Sequence, residues 1–418
     1  MEQSLYRFPI KVLTIFLIVT EILYFVGPIK YPNGNLLLLI FYFFILNSAL
    51  YLGFLRGIAK SKTSYCKVSA SLVHILLIVG LFLNIYYLKV LWATHGLSFS
   101  FSNLLFALVN PGSAYKGESL ETVNVNIITG FLLTPFRWAC IPIGICRWKK
   151  LNSFYKSILL LTVCIYIVSW LGIGTRKGLM DLILIIFFLS IAANPLIQED
   201  PKSRRKLFVL SIAVIALFLF FFLYSNLSRA GLSNSSELSD LLKQEYRSFY
   251  VKRCSPELLS SLSEITIYLC QGYEALSIAL AEIGILPITF GGFSMQTWLY
   301  LDRFFGYNPI PGTYMYALET RYGIDMYENW HSIYLWLAND FTFIGVPIVV
   351  FLIGYYFARV WKDSIHGNNP WSFPVLAYMI IMVFYFFANN QVLSFSLESF
   401  LGCVLIYEFS RTLRYLHI

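Results

Sequence analysis

The sequence predicts an all-α polytopic membrane protein. Of its 418 residues, 58% are hydrophobic and only 13% are charged, whereas a soluble domain carries about 25% charged residues. Its apolar residues occur in repeated runs of about 20, the length that a helix needs to cross a bilayer. The backbone must satisfy its own hydrogen bonds in lipid, and runs of this length are too long for barrel strands, so the spans are predicted to be helices.

About ten apolar segments are predicted to span the membrane. They are 11–27, 35–54, 68–89, 123–146, 157–174, 178–194, 207–226, 342–361, 372–389 and 394–410. No small-residue cleavage site follows the first run, which is therefore interpreted as a span and not as a signal peptide. The spans divide the chain into residues 1–226 with seven spans, a large helical external loop at 227–341, and residues 342–418 with three spans.

The distribution of basic residues predicts the orientation in the membrane. With the N-terminus inside, short cytoplasmic segments hold more than half of the 31 Lys and Arg residues, as the positive-inside rule expects. An even number of spans then places the C-terminus inside as well. The net charge of +9 is interpreted as a consequence of this topology, and no nucleic-acid partner is predicted.

Few charged residues fall inside the predicted spans; they include Glu21, Arg137 and Asp181. A charge in the bilayer is costly unless it is paired, neutralised or faces a cavity. Glu21 is compatible with each of these states. Arg137 follows Pro135, which can kink a helix, and its side chain either faces a cavity or extends to the interface.

Spans five and six are joined by a glycine-rich external hairpin, Gly172 to Gly178, that contains Arg176 and Lys177. Glycines let a backbone approach a ligand closely. The helix that follows offers free N–H groups and the positive end of its dipole. These features predict a phosphate site, and the alternative is an ordinary tight turn whose cations contact lipid headgroups.

Three further arginines, Arg229, Arg303 and Arg321, are predicted to lie outside the membrane. The first two, like Arg176, each lie at a membrane boundary or beside a glycine-rich or aromatic turn. A guanidinium group binds phosphate through paired hydrogen bonds. Fixed arginines stabilise the charge that develops on a pyrophosphate leaving group without a metal ion. The predicted pyrophosphate ligands are therefore these three residues with Arg176 and Lys177, and no metal ligand or cofactor is predicted.

The stretch from Arg321 to Trp361 carries polar and aromatic residues directly into a predicted span. His331 is a candidate catalytic base because an ordinary histidine titrates near neutral pH; alternatively, it only hydrogen-bonds a neighbour. Asp325, Glu328 and Asp340 compete with it as bases or orienting carboxylates. Asp340 lies nine residues after His331, which is roughly 13 Å along a continuous helix, so the two do not meet unless the chain breaks between them.

Aromatic residues of the external loop are candidates for sugar binding, because their rings stack on sugar faces. They are Trp298, Tyr300, Tyr314 and Trp330. An aromatic belt at the membrane interface is the alternative explanation. Earlier in the loop, residues 256–285 are apolar but contain four glutamates, a pattern typical of an interfacial helix or of a re-entrant helix that bends near Gly272.

Two of the seven cysteines, Cys254 and Cys270, fall in the large external loop. They can pair if that face is oxidising, or remain free thiols. The sequence contains no P-loop, no Rossmann fingerprint, no HExxH and no GxSxG motif. It therefore predicts neither nucleotide-driven chemistry nor a known hydrolase.

Several segments resemble the O-antigen polymerase family (Wzy-type oligosaccharide repeat-unit polymerases). They are GTRKG at 174–178, YLCQGYEALSIAL at 268–280, FGGF at 290–293 and NDFTFIGVPIVVFLIG at 339–354. In the last segment Thr342 stands where the family usually has its first glycine. The related O-antigen ligases carry a histidine followed by Asn or Ser and later glycines, which His331, Ser332 and Gly345 resemble at a longer spacing.

The resemblance implies a metal-independent glycosyltransferase of the GT-C class in the bacterial inner membrane, with its active site facing the periplasm. Its donor and acceptor would be undecaprenyl-pyrophosphate-linked oligosaccharides, and a chain-length regulator would be a further partner. Such an enzyme serves O-antigen and lipopolysaccharide biosynthesis. The alternatives are an O-antigen ligase of the same class and, from a different class, a lipid-linked oligosaccharide flippase or transporter, which would place more charges along a path through its spans.

Overall fold

The computed structural model describes residues 5–31, 34–64, 66, 68–94, 127–172, 175, 177–193, 200, 202–203, 205–206, 209, 242–243, 255–327, 329–367 and 369–416. Within these ranges every named element is a helix, and no strand is present. The predicted all-α class is therefore confirmed for the described residues.

Thirteen α-helices are named among the described residues. They are α1 (Phe8–Val26), α2 (Leu36–Lys60), α3 (Ala70–Thr94), α4 (Ile127–Arg147), α5 (Ser153–Gly172), α6 (Lys177–Ala193), α7 (Pro256–Ile278), α8 (Met295–Phe305), α9 (Tyr314–Tyr322), α10 (Ile333–His366), α11 (Ser372–Phe384), α12 (Gln391–Phe395) and α13 (Leu397–Leu416). Single 3₁₀ turns occupy Trp148–Lys150, Ile310–Gly312 and Tyr385–Phe387, and a π turn, Ala279–Ile283, follows α7.

Among the described residues, five helices are long and apolar enough to cross a membrane. They are Phe8–Val26, Leu36–Lys60, Ala70–Ala93, Ser153–Gly172 and Ile333–His366. These findings support a helical membrane protein. The predicted spans at 123–146, 178–194, 372–389 and 394–410 overlap helices that do not meet the same criteria, and the predicted span 207–226 lies outside the described residues apart from residue 209.

The chain folds into two compact units, each built from three separate stretches. The first unit comprises Met1–Lys62, Leu232–Arg359 and Ile381–Leu397, and the second comprises Thr63–Gly231, Val360–Ile380 and Glu398–Ile418. This division follows packing, whereas the division predicted at 226 and 341 followed membrane topology.

Helices α7, α8 and α9 begin after the expected capping residues. The Ser255, Ser294 and Thr313 side chains each accept a hydrogen bond from a backbone N–H in the first turn of α7, α8 and α9. Such caps satisfy N–H groups that have no partner within a helix. Helices α8 and α9 end at Gly306 and Gly323, which adopt left-handed conformations with φ of 61° and 67°, where glycine is favoured.

Close packing in the first unit depends on small residues. A Cβ atom on Gly53 of α2 would lie 2.0 Å from the Phe351 carbonyl oxygen of α10, and one on Gly354 would lie 2.3 Å from the Leu50 carbonyl oxygen. Small residues on facing membrane helices let their backbones approach in this way.

Helix α7 runs without interruption through Gly272. The alternative of a helix that bends there is therefore wrong. Gly272 is instead a packing position, because a Cβ atom would lie 2.4 Å from the Phe387 carbonyl oxygen and 2.9 Å from the Ser332 nitrogen.

A buried polar network joins separate segments of the second unit. The Asp363 carboxylate accepts hydrogen bonds from the Ser64 nitrogen at 2.8 Å, the Ser64 hydroxyl at 2.6 Å and the Tyr407 hydroxyl at 2.6 Å, and it pairs with Arg411. Burial of a carboxylate requires such partners. The Arg137 guanidinium lies 3.6 Å from the centroid of the Tyr87 ring, a cation–π contact.

Candidate functional site

The candidate site is built around the carboxylate of Asp340, which lies in α10 just before a break of that helix at Thr342. The Asp340 oxygens accept hydrogen bonds from the Gly291 nitrogen at 3.0 and 2.9 Å, from the Gly292 and Phe293 nitrogens at 3.2 Å each, and from the Thr289 hydroxyl at 2.7 Å. Successive backbone N–H groups form an anion-binding nest of this kind. We call these five residues the Asp340 cradle.

The backbone of the cradle loop is unusual. Phe290 has a φ of 49° and Gly291 a φ of 128°, and positive values are uncommon for residues other than glycine. A Cβ atom on Gly291 would also lie 2.3 Å from Leu301 Cδ1. The loop therefore requires glycine at position 291, and the hydrogen bonds to Asp340 oppose the strain at Phe290.

Asn339 connects the cradle loop to α9. Its amide nitrogen donates to the Gly292 carbonyl at 2.9 Å, and its amide oxygen accepts from the Tyr314 nitrogen at 2.9 Å. Its backbone carbonyl accepts from the Thr289 nitrogen at 3.0 Å. On the other side, the Asn390 amide donates to the Phe293 carbonyl at 2.6 Å. The loop is thus held at Thr289 by the backbone of Asn339, and at Gly292 and Phe293 by the side chains of Asn339 and Asn390.

Helix α10 breaks at Thr342, two residues after Asp340. Thr342 has φ 55° and ψ 164°, which separates residues 333–341 from residues 343–366. Backbone of this conformation is almost restricted to glycine. The break places the Asp340 cradle at the start of the apolar part of α10, where the predicted span 342–361 begins.

His331 lies at the other end of the first part of α10. Its side chain is 1% exposed. Burial lowers the pKa of His331 to about 4, although a hydrogen bond to the Asp325 backbone and the charge of the Asp325 carboxylate raise it. The imidazole is therefore neutral near pH 7 and retains a lone pair that can accept a proton.

The structure does not bring His331 and Asp340 together. The helix between them is continuous from Ile333, and its break at Thr342 comes after Asp340. Asp340 accepts five hydrogen bonds from the cradle, so its lone pairs are occupied in holding the loop. Asp340 therefore stabilises the conformation of the loop. Its role as a base stays a prediction. Glu328 lies outside the described residues.

The five predicted pyrophosphate ligands differ in the unit to which they belong and in whether the structure describes them. Arg303 and Arg321 are exposed in the last turns of α8 and α9. Lys177 belongs to the second unit and forms an ion pair of 2.8 Å with the buried carboxylate of Asp181. The remaining two, Arg176 and Arg229, lie outside the described residues.

The predicted sugar-binding aromatic residues also differ in exposure. Trp298 is buried and stacks on Trp336 with 5.2 Å between ring centroids. Tyr314 is buried, and its hydroxyl donates to the Gly284 carbonyl at 3.0 Å. Both residues contribute to the framework of the site. Two candidates keep part of their surface exposed, namely Tyr300 and Trp330.

Cys270 is a free, buried thiol whose sulfur lies 3.7 Å from the Thr20 carbonyl oxygen. Its predicted alternative partner, Cys254, lies outside the described residues. Among the residues that the structure describes, no three His, Cys, Asp or Glu side chains are grouped as metal ligands would be.

Sequence reasoning identified Asp340 but missed the residues that bind it. The signal was present in FGGF at 290–293, because paired glycines often mark a loop that approaches another group closely. The partner of that loop, 47 to 51 residues away, has no local signature. Comparison of the chain with protein-family models, curated proteins and solved structures finds no match.

Proposed function

We propose that the chain is a membrane-embedded polysaccharide polymerase that joins lipid-linked oligosaccharide repeat units. One observation carries the proposal: two segments of the first unit that resemble the O-antigen polymerases bind each other. The backbone N–H groups of segment 290–293 donate hydrogen bonds to Asp340 of segment 339–354. Gly272 of the third segment, 268–280, packs on Ser332, which lies just before α10.

In the proposed reaction, a hydroxyl oxygen of the acceptor sugar attacks the anomeric carbon of the donor. The bond from that carbon to the pyrophosphate oxygen breaks, and the pyrophosphate leaves with the bonding electrons. Arg303 and Arg321, which are both exposed in the first unit, would stabilise this anion. Arg176, Lys177 and Arg229 stay predicted ligands of the same group.

His331 accepts the proton of the acceptor hydroxyl in this proposal. A histidine with a pKa of about 4 is a weak base near pH 7. An anionic pyrophosphate bound nearby would raise that pKa, because a neighbouring negative charge favours the imidazolium form. Proton acceptance would then depend on bound substrate.

We also propose the membrane topology of this polymerase. The chain would cross the inner membrane ten times in a GT-C-like arrangement, with both termini in the cytoplasm and the site facing the periplasm. Donor and acceptor would both be undecaprenyl-pyrophosphate-linked oligosaccharides, and a chain-length regulator would bind in addition. The five apolar helices support the membrane location of this reaction.

The test is the surface glycan of a strain that lacks the chain, separated as a ladder on a gel. We expect a single repeat on the lipid core and no ladder, because polymerisation alone is lost. Complementation with Arg321→Ala or His331→Ala should reduce the long polymer by roughly tenfold or more, the effect of losing one strong charge-assisted contact. Arg176→Ala is tested in parallel.

Arg205→Ala is the matched control, since Arg205 lies in a predicted cytoplasmic segment and its variant should restore the full ladder. Long lipid-linked polymer that accumulates without attachment would overturn the proposal in favour of a ligase. Accumulation of single lipid-linked units with no surface glycan at all would instead indicate a flippase.

A further inference from the structure

Helices α1 and α2 enclose a groove that takes no part in the site described above. The groove has a volume of about 630 Å³ and is lined mainly by apolar side chains. Its lining includes Ile22 and Val26 of α1 and Ile40 and Phe44 of α2, which are between 48% and 70% exposed. Both helices have the length and composition of membrane spans, so the groove opens toward hydrocarbon.

A polar pair lies in this apolar groove. Glu21 is 7% exposed, and each of its carboxyl oxygens accepts a hydrogen bond of 2.8 Å from the Asn47 amide nitrogen. Both residues line the groove. The amide oxygen of Asn47 is buried and has no partner in the described part of the chain.

This pair retains unused hydrogen-bonding capacity. A carboxylate has about four acceptor positions, and the bonds from Asn47 occupy only one on each oxygen. Polar groups in the bilayer are expected to be paired, or to line a binding site or a pathway. Glu21 lies five residues before the end of α1, which is about 8 Å along the helix axis and therefore below the headgroup region.

We propose that the groove binds a single-chain lipid whose free hydroxyl group bonds to Glu21 and Asn47. The hydrocarbon chain would lie along the exposed apolar walls. The volume is in the range of about 300–1,000 Å³ that encloses one small ligand, which favours one chain over two. The proposal depends on membrane insertion and not on the polymerase reaction.

A hydroxyl suits the polar pair better than a charged group does. It both donates and accepts a hydrogen bond, so it complements Glu21 in its ionised or its protonated form. Moving a hydroxyl into an apolar environment is affordable when it is hydrogen-bonded. An ammonium group would carry a larger desolvation penalty even when paired.

The test uses the purified full-length chain in nanodiscs and two photoreactive probes. One is hexadecanol with a diazirine in its chain, and the other is its methyl ether, which cannot donate. We expect the alcohol to label residues 18–26 and 40–51 roughly five to ten times more than the ether, as one buried hydrogen bond would produce. Unlabelled hexadecanol should compete, and its methyl ether should not.

Two variants distinguish the groove from general lipid contact. The double variant Glu21→Leu, Asn47→Leu removes both polar groups together, so that no unpaired partner is left, and should abolish the preference for the alcohol. Phe44→Trp should reduce labelling by both probes because it fills the groove, whereas Phe41→Trp, on an exposed position outside the lining, should leave it unchanged.

Equal labelling of wild-type protein by both probes would overturn the proposal, and this comparison requires no variant to fold. Labelling spread evenly over all lipid-facing helices would overturn it as well. Because glycan polymerisation is not measured, failure here is distinguishable from failure of the proposed function.

Discussion

At the level of single residues, the Asp340 carboxylate determines the conformation of a loop that has few other reasons to adopt it. Phe290 has an unfavourable backbone conformation and its side chain is 77% exposed, so packing of that side chain does not compensate for the strain. The N–H groups of residues 291–293 compensate instead by binding one carboxylate. A hydrogen bond to a charged acceptor contributes more than a neutral one.

Asp340→Asn should destabilise the protein by about 2–3 kcal/mol, because an amide NH₂ group would face backbone N–H donors and leave some unpaired. Thermal unfolding in detergent measures this loss. Asp302→Asn is the matched control, since Asp302 is exposed on α8 and its variant should unfold like the wild type. Equal midpoints for both variants would show that the loop does not depend on Asp340.

His331 makes stability depend on pH. Its pKa is about 4 in the folded chain, against an ordinary value of 6.5, so below pH 6.5 the unfolded state binds the proton more readily. Stability should therefore be complete above about pH 6.5 and decrease as the pH falls toward 4, by about 3 kcal/mol at most.

The measurement is the unfolding midpoint of wild type and of His331→Gln between pH 7.5 and about pH 4. The variant should lose less stability across this range, because glutamine does not titrate. His366→Gln, at an exposed histidine, should retain the wild-type slope. Parallel curves for wild type and His331→Gln would show that burial of this imidazole does not produce the pH dependence.

At the level of elements, the break in α10 separates a short, mostly buried helical segment from a long apolar span. Residues 333–341 carry Asn339 and Asp340 to the cradle, and residues 343–366 continue as an apolar helix. The break is at Thr342. A threonine in this conformation costs about 1–3 kcal/mol.

Thr342→Gly should stabilise the protein by about 1 kcal/mol, because the relief of backbone strain exceeds the entropy that glycine loses on folding. The unfolding midpoint in detergent tests this. Thr320→Gly, in the ordinary helical backbone of α9, should have the opposite sign and cost about 1 kcal/mol. Destabilisation by both substitutions would argue that the Thr342 side chain, and not its backbone, determines the break.

At the level of the whole molecule, helices of membrane length occur in both compact units. The orientation of these helices depends on basic residues in short loops and not on packing. We therefore predict that a green fluorescent protein fused after Ile418 is fluorescent, and that an alkaline phosphatase fused after Phe305 is active outside the cytoplasm.

Replacement of the basic residues Lys60, Lys62 and Lys67 by glutamine should weaken this orientation, whereas replacement of the exposed Arg303 should not. Absence of fluorescence from the protein fused after Ile418 would contradict the predicted position of the C-terminus. Inactivity after Phe305 would contradict an external loop at 227–341 and, with it, the periplasmic site of the proposed function.

Apolar length and composition are local properties, so the sequence alone predicts the helical membrane class and the positions of α1, α2, α3 and α5. It also singles out Asp340 and the FGGF loop, but their contact is visible only in the folded chain, since about 50 residues separate them. The burial of His331, the stacking of Trp298 on Trp336 and the pairing of Glu21 with Asn47 were likewise decided by tertiary contacts. The pKa, exposure and hydrogen bonding of a side chain depend on neighbours that local sequence does not specify.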